Sequence, residues 1–177
     1  KGWVAAGRYQ YGVSDNIAMY SGFMAQKREQ DELYHVALGT NLSLLDRFLV
    51  NLEYEENNQQ QREFELTTRT KLADQSLLFS ATNRTDNQNG RDITLKSYQF
   101  DMSGELMKND FGRLNYQNNF LIQHAQSGDL KQIYNRLNYS YANVSINNLL
   151  QWQDLSVGQE SVDGTTRLQT RLGRVYS

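Results

Sequence analysis

The chain has 177 residues, a formal net charge of −2, 38% hydrophobic residues and a mean hydropathy of −0.72. That length suffices for one domain, the near-neutral charge excludes a nucleic-acid partner held by a basic surface, and no stretch reaches the roughly 18–20 apolar residues of a membrane-spanning helix. With no cysteine and no proline, the sequence offers no disulfide framework and no thiolate metal site, and nothing in it interrupts a strand ladder.

Disorder is the competing reading of such polarity. Eleven Tyr, seven Phe and two Trp, set in a sustained alternation of apolar and polar residues, argue for strands instead. The alternation predicts eleven strands near 3–13, 16–26, 33–44, 47–56, 62–72, 76–85, 92–104, 111–125, 130–142, 144–155 and 165–176. Most exceed the roughly 9–11 residues with which a tilted strand crosses a bilayer. In an extended strand successive side chains point to opposite faces. The third predicted strand shows Tyr34, Val36, Leu38, Thr40, Leu42 and Leu44 on one face. The fourth shows Phe48, Val50, Leu52 and Tyr54 opposite Asn51, Glu53 and Glu55. The fifth shows Phe64, Leu66, Thr68, Thr70 and Leu72 opposite Glu63, Glu65, Thr67, Arg69 and Lys71. In the seventh the phase slips between Leu95 and Tyr98, which predicts a β-bulge near Lys96–Ser97. The eighth is the weakest, diluted by Asn115, Gln117, Asn118 and Asn119. In the tenth, Val144, Ile146, Leu150 and Trp152 oppose Ser145, Asn147, Gln151 and Gln153. In the last, Leu168, Thr170 and Leu172 oppose Arg167, Gln169 and Arg171.

An apolar outer face and a polar inner face on every long strand is the signature of an all-β, antiparallel, up-and-down transmembrane β-barrel. Tight turns at Ser14-Asp15, Leu45-Asp46, Ala73-Asp74-Gln75 and Ala142-Asn143 alternate with longer polar loops at 27–32, 57–61, 86–91, 126–129 and 156–164, and 105–110 is a longish member of the short set. Short turns belong to the periplasmic end of such barrels, which places Asp15, Asp46 and Asp74 there. The whole chain, 1–177, reads as one barrel region. The odd strand count, the opposite sides of the two ends and the missing initiator Met point to an excised part of a larger barrel.

Residues 8–23, Arg8-Tyr9-Gln10-Tyr11-Gly12-Val13-Ser14-Asp15-Asn16-Ile17-Ala18-Met19-Tyr20-Ser21-Gly22-Phe23, form a strand, a glycine beside an Asx-type turn and a returning strand. This resembles the YG-[LV]-[ST]-[DN]-N-[LI]-x-[LM]-Y-x-G hairpin of bacterial fimbrial ushers. Val36 to Leu45 resembles the usher strand that follows. The resemblance covers about forty residues, and the rest of the chain matches in style only. It implies a bacterial outer-membrane barrel that passes folded pilus subunits or another polymer outward.

Two sets of candidate site residues follow. Glu53, Glu55, Glu63, Glu65, Arg69, Lys71, Arg167 and Arg171 fall on inward faces and would line a lumen, as a selectivity wall or as a solvated surface of cross-strand ion pairs. Glu53 and Glu55 would face Glu63 and Glu65, with Arg62, Arg69 or a cation in compensation. Tyr9, Tyr11, Tyr20, Tyr34, Tyr54 and Trp152 are candidates for the aromatic girdle at the membrane interface. No catalytic or metal-binding constellation stands out. The two histidines, His35 and His124, belong to no recognisable motif, and no cofactor is implied. The expected partners are membrane lipid and a protein or exported polymer. A barrel that anchors a surface protein and a soluble antiparallel sheet are the competing readings.

Overall fold

A computed structural model describes residues 2–170 apart from 29–30, 46, 89, 143 and 157. Eleven strands follow in chain order: β1 (Trp3–Ser14), β2 (Ile17–Arg28), β3 (Asp31–Leu44), β4 (Phe48–Asn57), β5 (Arg62–Leu72), β6 (Gln75–Gln88), β7 (Arg91–Asn109), β8 (Gly112–Ala125), β9 (Gly128–Tyr141), β10 (Val144–Leu155) and β11 (Gln159–Thr170). Each pairs antiparallel with its sequence neighbours, giving one up-and-down sheet in the order β1 to β11. Among the described residues β1 pairs only with β2 and β11 only with β10, so the sheet is open.

Cross-strand partners point to the same face, so the register settles what each face carries. On β4 and β5, Val50 meets Thr68, Leu52 meets Leu66 and Tyr54 meets Phe64, while Asn51 meets Thr67, Glu53 meets Glu65 and Glu55 meets Glu63. The apolar face continues as one row across ten strands: Ile17, Leu42, Val50, Thr68, Phe79, Phe100, Phe120, Ile133, Trp152 and Val162. Phe100 and Phe120 lie with ring centroids 6.3 Å apart in that row.

Among the described residues no second layer covers either face. Among the described residues only Tyr20, Tyr116 and Thr70 are buried, and Val36, Leu38, Phe23 and Leu150 stand about half exposed. A soluble sandwich needs an interior between two sheets, so the soluble-domain reading does not survive. A broad apolar face left open on a single-layer sheet fits lipid as its solvent.

Three expectations need correction. The bulge near Lys96–Ser97 is absent, since β7 keeps continuous register with β6 and β8 through those residues. Ile93 and Leu95 instead sit on the polar face, opposite Asp86 and Arg84 of β6, with Leu95 also in register with Ala125 of β8, toward the end of the sheet where Leu130 and Leu155 also pair. The irregularities lie elsewhere, at Gly12/Ser14 in β1 and Glu105/Met107 in β7. Secondly, the long loops shrink. The strands run on through their polar ends and leave connections of two to four residues at both ends of the sheet. Glu105, expected in a loop, is strand and pairs with Arg113 at 2.8 Å. Turn length therefore does not distinguish the two ends, and the periplasmic placement of Asp15 and Asp74 loses its basis; Asp46 lies outside the described residues. Thirdly, β11 starts at Gln159, six residues earlier than expected, because the polar run after Ser156 pairs with β10 from there onward; residues 171–176 of the expected strand lie outside the described residues.

Candidate functional site

The polar face is built by the same register that builds the apolar one. Glu53, Glu55, Glu63 and Glu65 form a two-by-two block in which Glu53 opposes Glu65 and Glu55 opposes Glu63. Like charges directly opposite are unfavourable, so the neighbours matter. Tyr20 Oη donates to Glu53 Oε2 at 2.8 Å. Thr67 Oγ1 donates to Glu65 Oε1 at 2.7 Å. His35 Nε2 lies 3.2 Å from Glu55 Oε2, and Arg84 stands opposite Glu63 in the register. Arg62, expected to compensate the block, lies on the other face and binds Glu56 at 3.0 Å. Arg69 shares the face, four residues along β5 from Glu65, and Lys71 follows it. Arg167 lies on the same face far across the sheet, opposite Asn147. Arg171 lies outside the described residues.

Tyr20 is the clearest departure from expectation. It was grouped with the girdle, yet it stands opposite Gln10 and Gly39, on the polar face. Only 6% of it is exposed. Its hydroxyl accepts from Asn51 Nδ2 at 3.0 Å, and Asn51 also donates to Asn41 at 2.9 Å. The Arg8 guanidinium sits 4.4 Å from its ring centroid, a cation–π arrangement. The ring covers Gly39, where an added Cβ would fall 2.1 Å from Tyr20 Cζ. The signal was in the parity: Tyr20 alternates with Met19 and Ser21 and shares its face with Ala18 and Gly22.

The other aromatic candidates face outward. Tyr9 and Tyr11 are 67% and 60% exposed there. Tyr34, Tyr54 and Trp152 border a charged rim at the β2–β3, β4–β5 and β10–β11 end. Tyr34 donates to Glu32 at 3.0 Å, Tyr54 to Glu56 at 3.0 Å and Trp152 Nε1 to Glu160 at 2.8 Å. Along the same rim run the pairs Lys27–Glu32 (2.5 Å), His124–Asp129 (3.0 Å) and Lys131–Asp154 (4.0 Å). Lys27, Glu32, Asp129 and Glu160 of this rim fall in segments that the sequence reads as loops, while Glu56, His124, Lys131 and Asp154 fall at the ends of expected strands. An apolar body with its polar tip in a charged layer is what an interfacial aromatic needs. On β10 the apolar residues run from Val144 to Trp152, with Asp154 beyond. That is about 27 Å along the strand and about 20 Å after a tilt of roughly 40°, near the ~25 Å apolar band of such barrels.

No group of three or more metal-ligating side chains comes together among the described residues. The chemistry the wall offers is electrostatic: fixed charge and hydrogen-bonding groups beside water on one face, hydrocarbon contact on the other.

No protein-family model matches the sequence, and neither does any curated protein. Solved structures do match. The siderophore receptor PirA from Pseudomonas aeruginosa superposes with a TM-score of 0.63 at 11% identity, over 98% of this chain and 39% of that one. OmpT, an outer membrane protein of Vibrio cholerae, gives 0.55 at 13% identity, over 92% of this chain and 60% of that one. A bacterial polysaccharide outer membrane secretin gives 0.51 at 10% identity, over 96% of this chain and 70% of that one. The chain thus spans well under two thirds of the receptor it matches. At these identities the likeness is one of fold, and the fold is that of the wall of an outer-membrane β-barrel.

Proposed function

We propose that this chain is barrel wall of a bacterial outer-membrane protein that passes a protein or polymer outward, in the manner of an usher. The observation that carries the reading is the two-faced single layer. An apolar band edged by Tyr34, Tyr54 and Trp152 backs directly onto a polar wall bearing Glu53, Glu55, Glu63, Glu65, Arg69, Lys71 and Arg167. The usher-like element is the β1–β2 hairpin. There Ser14 Oγ accepts the Asn16 backbone N–H at 3.4 Å, and the chain reverses at Asp15–Asn16, just past an irregularity in register between Gly12 and Ser14. No bond is made or broken on this wall. Its role is passive, to present a wet, charged bore to the substrate while lipid covers the outside.

The test has two steps. The protein should sediment with the outer membrane and migrate differently in SDS before and after boiling, as a folded barrel does. Reconstituted into a planar bilayer, it should then conduct ions. A folded, heat-modifiable but electrically silent protein would replace passage with an anchor that holds a surface or partner protein. A protein soluble without detergent would remove the membrane reading altogether.

A further inference from the structure

Building on the passage reading, we propose that the polar face across β9, β10 and β11 carries a binding site for a carboxylate-bearing saccharide, gripped by Arg136 and Arg167. Arg136 opposes Leu149, which opposes Thr165, and Arg167 opposes Asn147. The two arginines therefore stand on one face, two strand spacings apart and offset by two residues along the strand, about 12 Å between backbones. Between them lies a concavity of about 420 Å³ lined by Tyr134, Arg136, Asn147, Thr165, Arg167 and Gln169 among others.

Each group has a chemical counterpart in such a ligand. Among the described residues Arg62, Arg84 and Arg113 are each bound to a carboxylate; Arg136 and Arg167, like Arg69, enter no ion pair, and these two line the same concavity. A planar guanidinium binds a carboxylate bidentately. Asn147, Thr165 and Gln169 supply neutral donors and acceptors for hydroxyl groups. Tyr134 supplies a flat ring for the apolar face of a sugar. A small inorganic anion would use the arginines and leave the neutral groups and the ring idle. Asp163, on the same face two residues before Thr165, bounds the site on the side away from Arg167. The carboxylate block lies on β4 and β5, well separated around the sheet, so the face is acidic in one sector and basic in another. With two guanidinium groups against the one Asp163 carboxylate the sector is net basic, and a basic cleft concentrates anions.

The experiment is calorimetric titration of the detergent-purified protein with trigalacturonate, with its methyl ester and with inorganic phosphate. Trigalacturonate should bind, the uncharged ester should bind at least tenfold more weakly, and phosphate should not displace the saccharide at equal concentration. Arg136→Gln and Arg167→Gln should each weaken binding by about tenfold or more, the loss expected for a charged hydrogen bond, with the heat-dependent SDS shift retained. Equal binding of the ester, unchanged binding in the double variant or full displacement by phosphate would overturn the site. If the double variant fails to fold, the comparison of acid with ester on the unsubstituted protein still decides. Saccharide binding without ion conductance would instead overturn the passage reading and leave the site standing.

Discussion

Placing one arginine on either face of a single strand tests the assignment of lipid and water. Ala81 lies on the apolar face of β6, between Leu66 and Tyr98, and Thr82 lies on the polar face, between Glu65 and Ser97. Ala81→Arg puts a guanidinium into hydrocarbon, which costs about 2–4 kcal/mol toward the bilayer midplane. Thr82→Arg puts the same group opposite the Glu65 carboxylate in water. There a cross-strand charge pair is worth about 0.2–1 kcal/mol, so stability should change by less than about 1 kcal/mol. The two positions are adjacent, about 3.3 Å apart along the strand, so only the period-two alternation of faces separates their surroundings. The assay is urea titration of the protein folded in lipid vesicles, followed by tryptophan fluorescence. Equal costs at 81 and 82, or a larger cost at 82, would refute the assignment of the faces.

Other substitutions probe the polar wall. Gly39→Ala should drive the Tyr20 ring off its seat and cost about 1–3 kcal/mol in the same titration; a neutral substitution would show that the ring does not rest there. Tyr20→Phe keeps the ring but removes the hydroxyl that serves Glu53 and Asn51, a loss of about 1.5–3 kcal/mol, whereas Tyr9→Phe on the outer face should be near neutral. Replacing Glu53 and Glu65 together by Gln removes two opposed charges. The reversal potential across a KCl gradient should move away from cation preference, and an unmoved potential would take the carboxylate block out of the conduction path.

Legibility in the sequence followed contrast between the two faces. β4 and β5 could be read residue by residue because Phe, Leu and Val alternate there with Glu, Asn and Arg; which glutamate faces which, Glu53 with Glu65 and Glu55 with Glu63, comes from the register. The bulge was misplaced because Ile93 and Leu95 are apolar yet belong to the polar face at the far end of β7. A period-two reading assumes that every apolar residue faces lipid, and near a strand end that constraint lapses. Tyr20 was misassigned because its aromatic character outweighed its parity. Polar stretches such as 86–91 looked like loops, but beyond the membrane a strand needs only its ladder and not an apolar face, so β6 and β7 continue to Gln88 and from Arg91. Arg136 escaped notice because its face of β9, with Gln132, Tyr134 and Asn138, carries no run of charge; its meeting with Arg167 depends on the pairing of three strands.

The central claim is that lipid covers one face of this sheet and water the other. The chain has no native cysteine, so single cysteines at successive positions from Phe48 to Glu55 can be labelled with a polarity-sensitive fluorophore in the native membrane. Emission should alternate along β4, blue-shifted and quenched by lipid-borne quenchers at 48, 50, 52 and 54, red-shifted and quenched by aqueous iodide at 49, 51, 53 and 55. Emission that fails to alternate, or aqueous quenching on both faces, would contradict a membrane barrel.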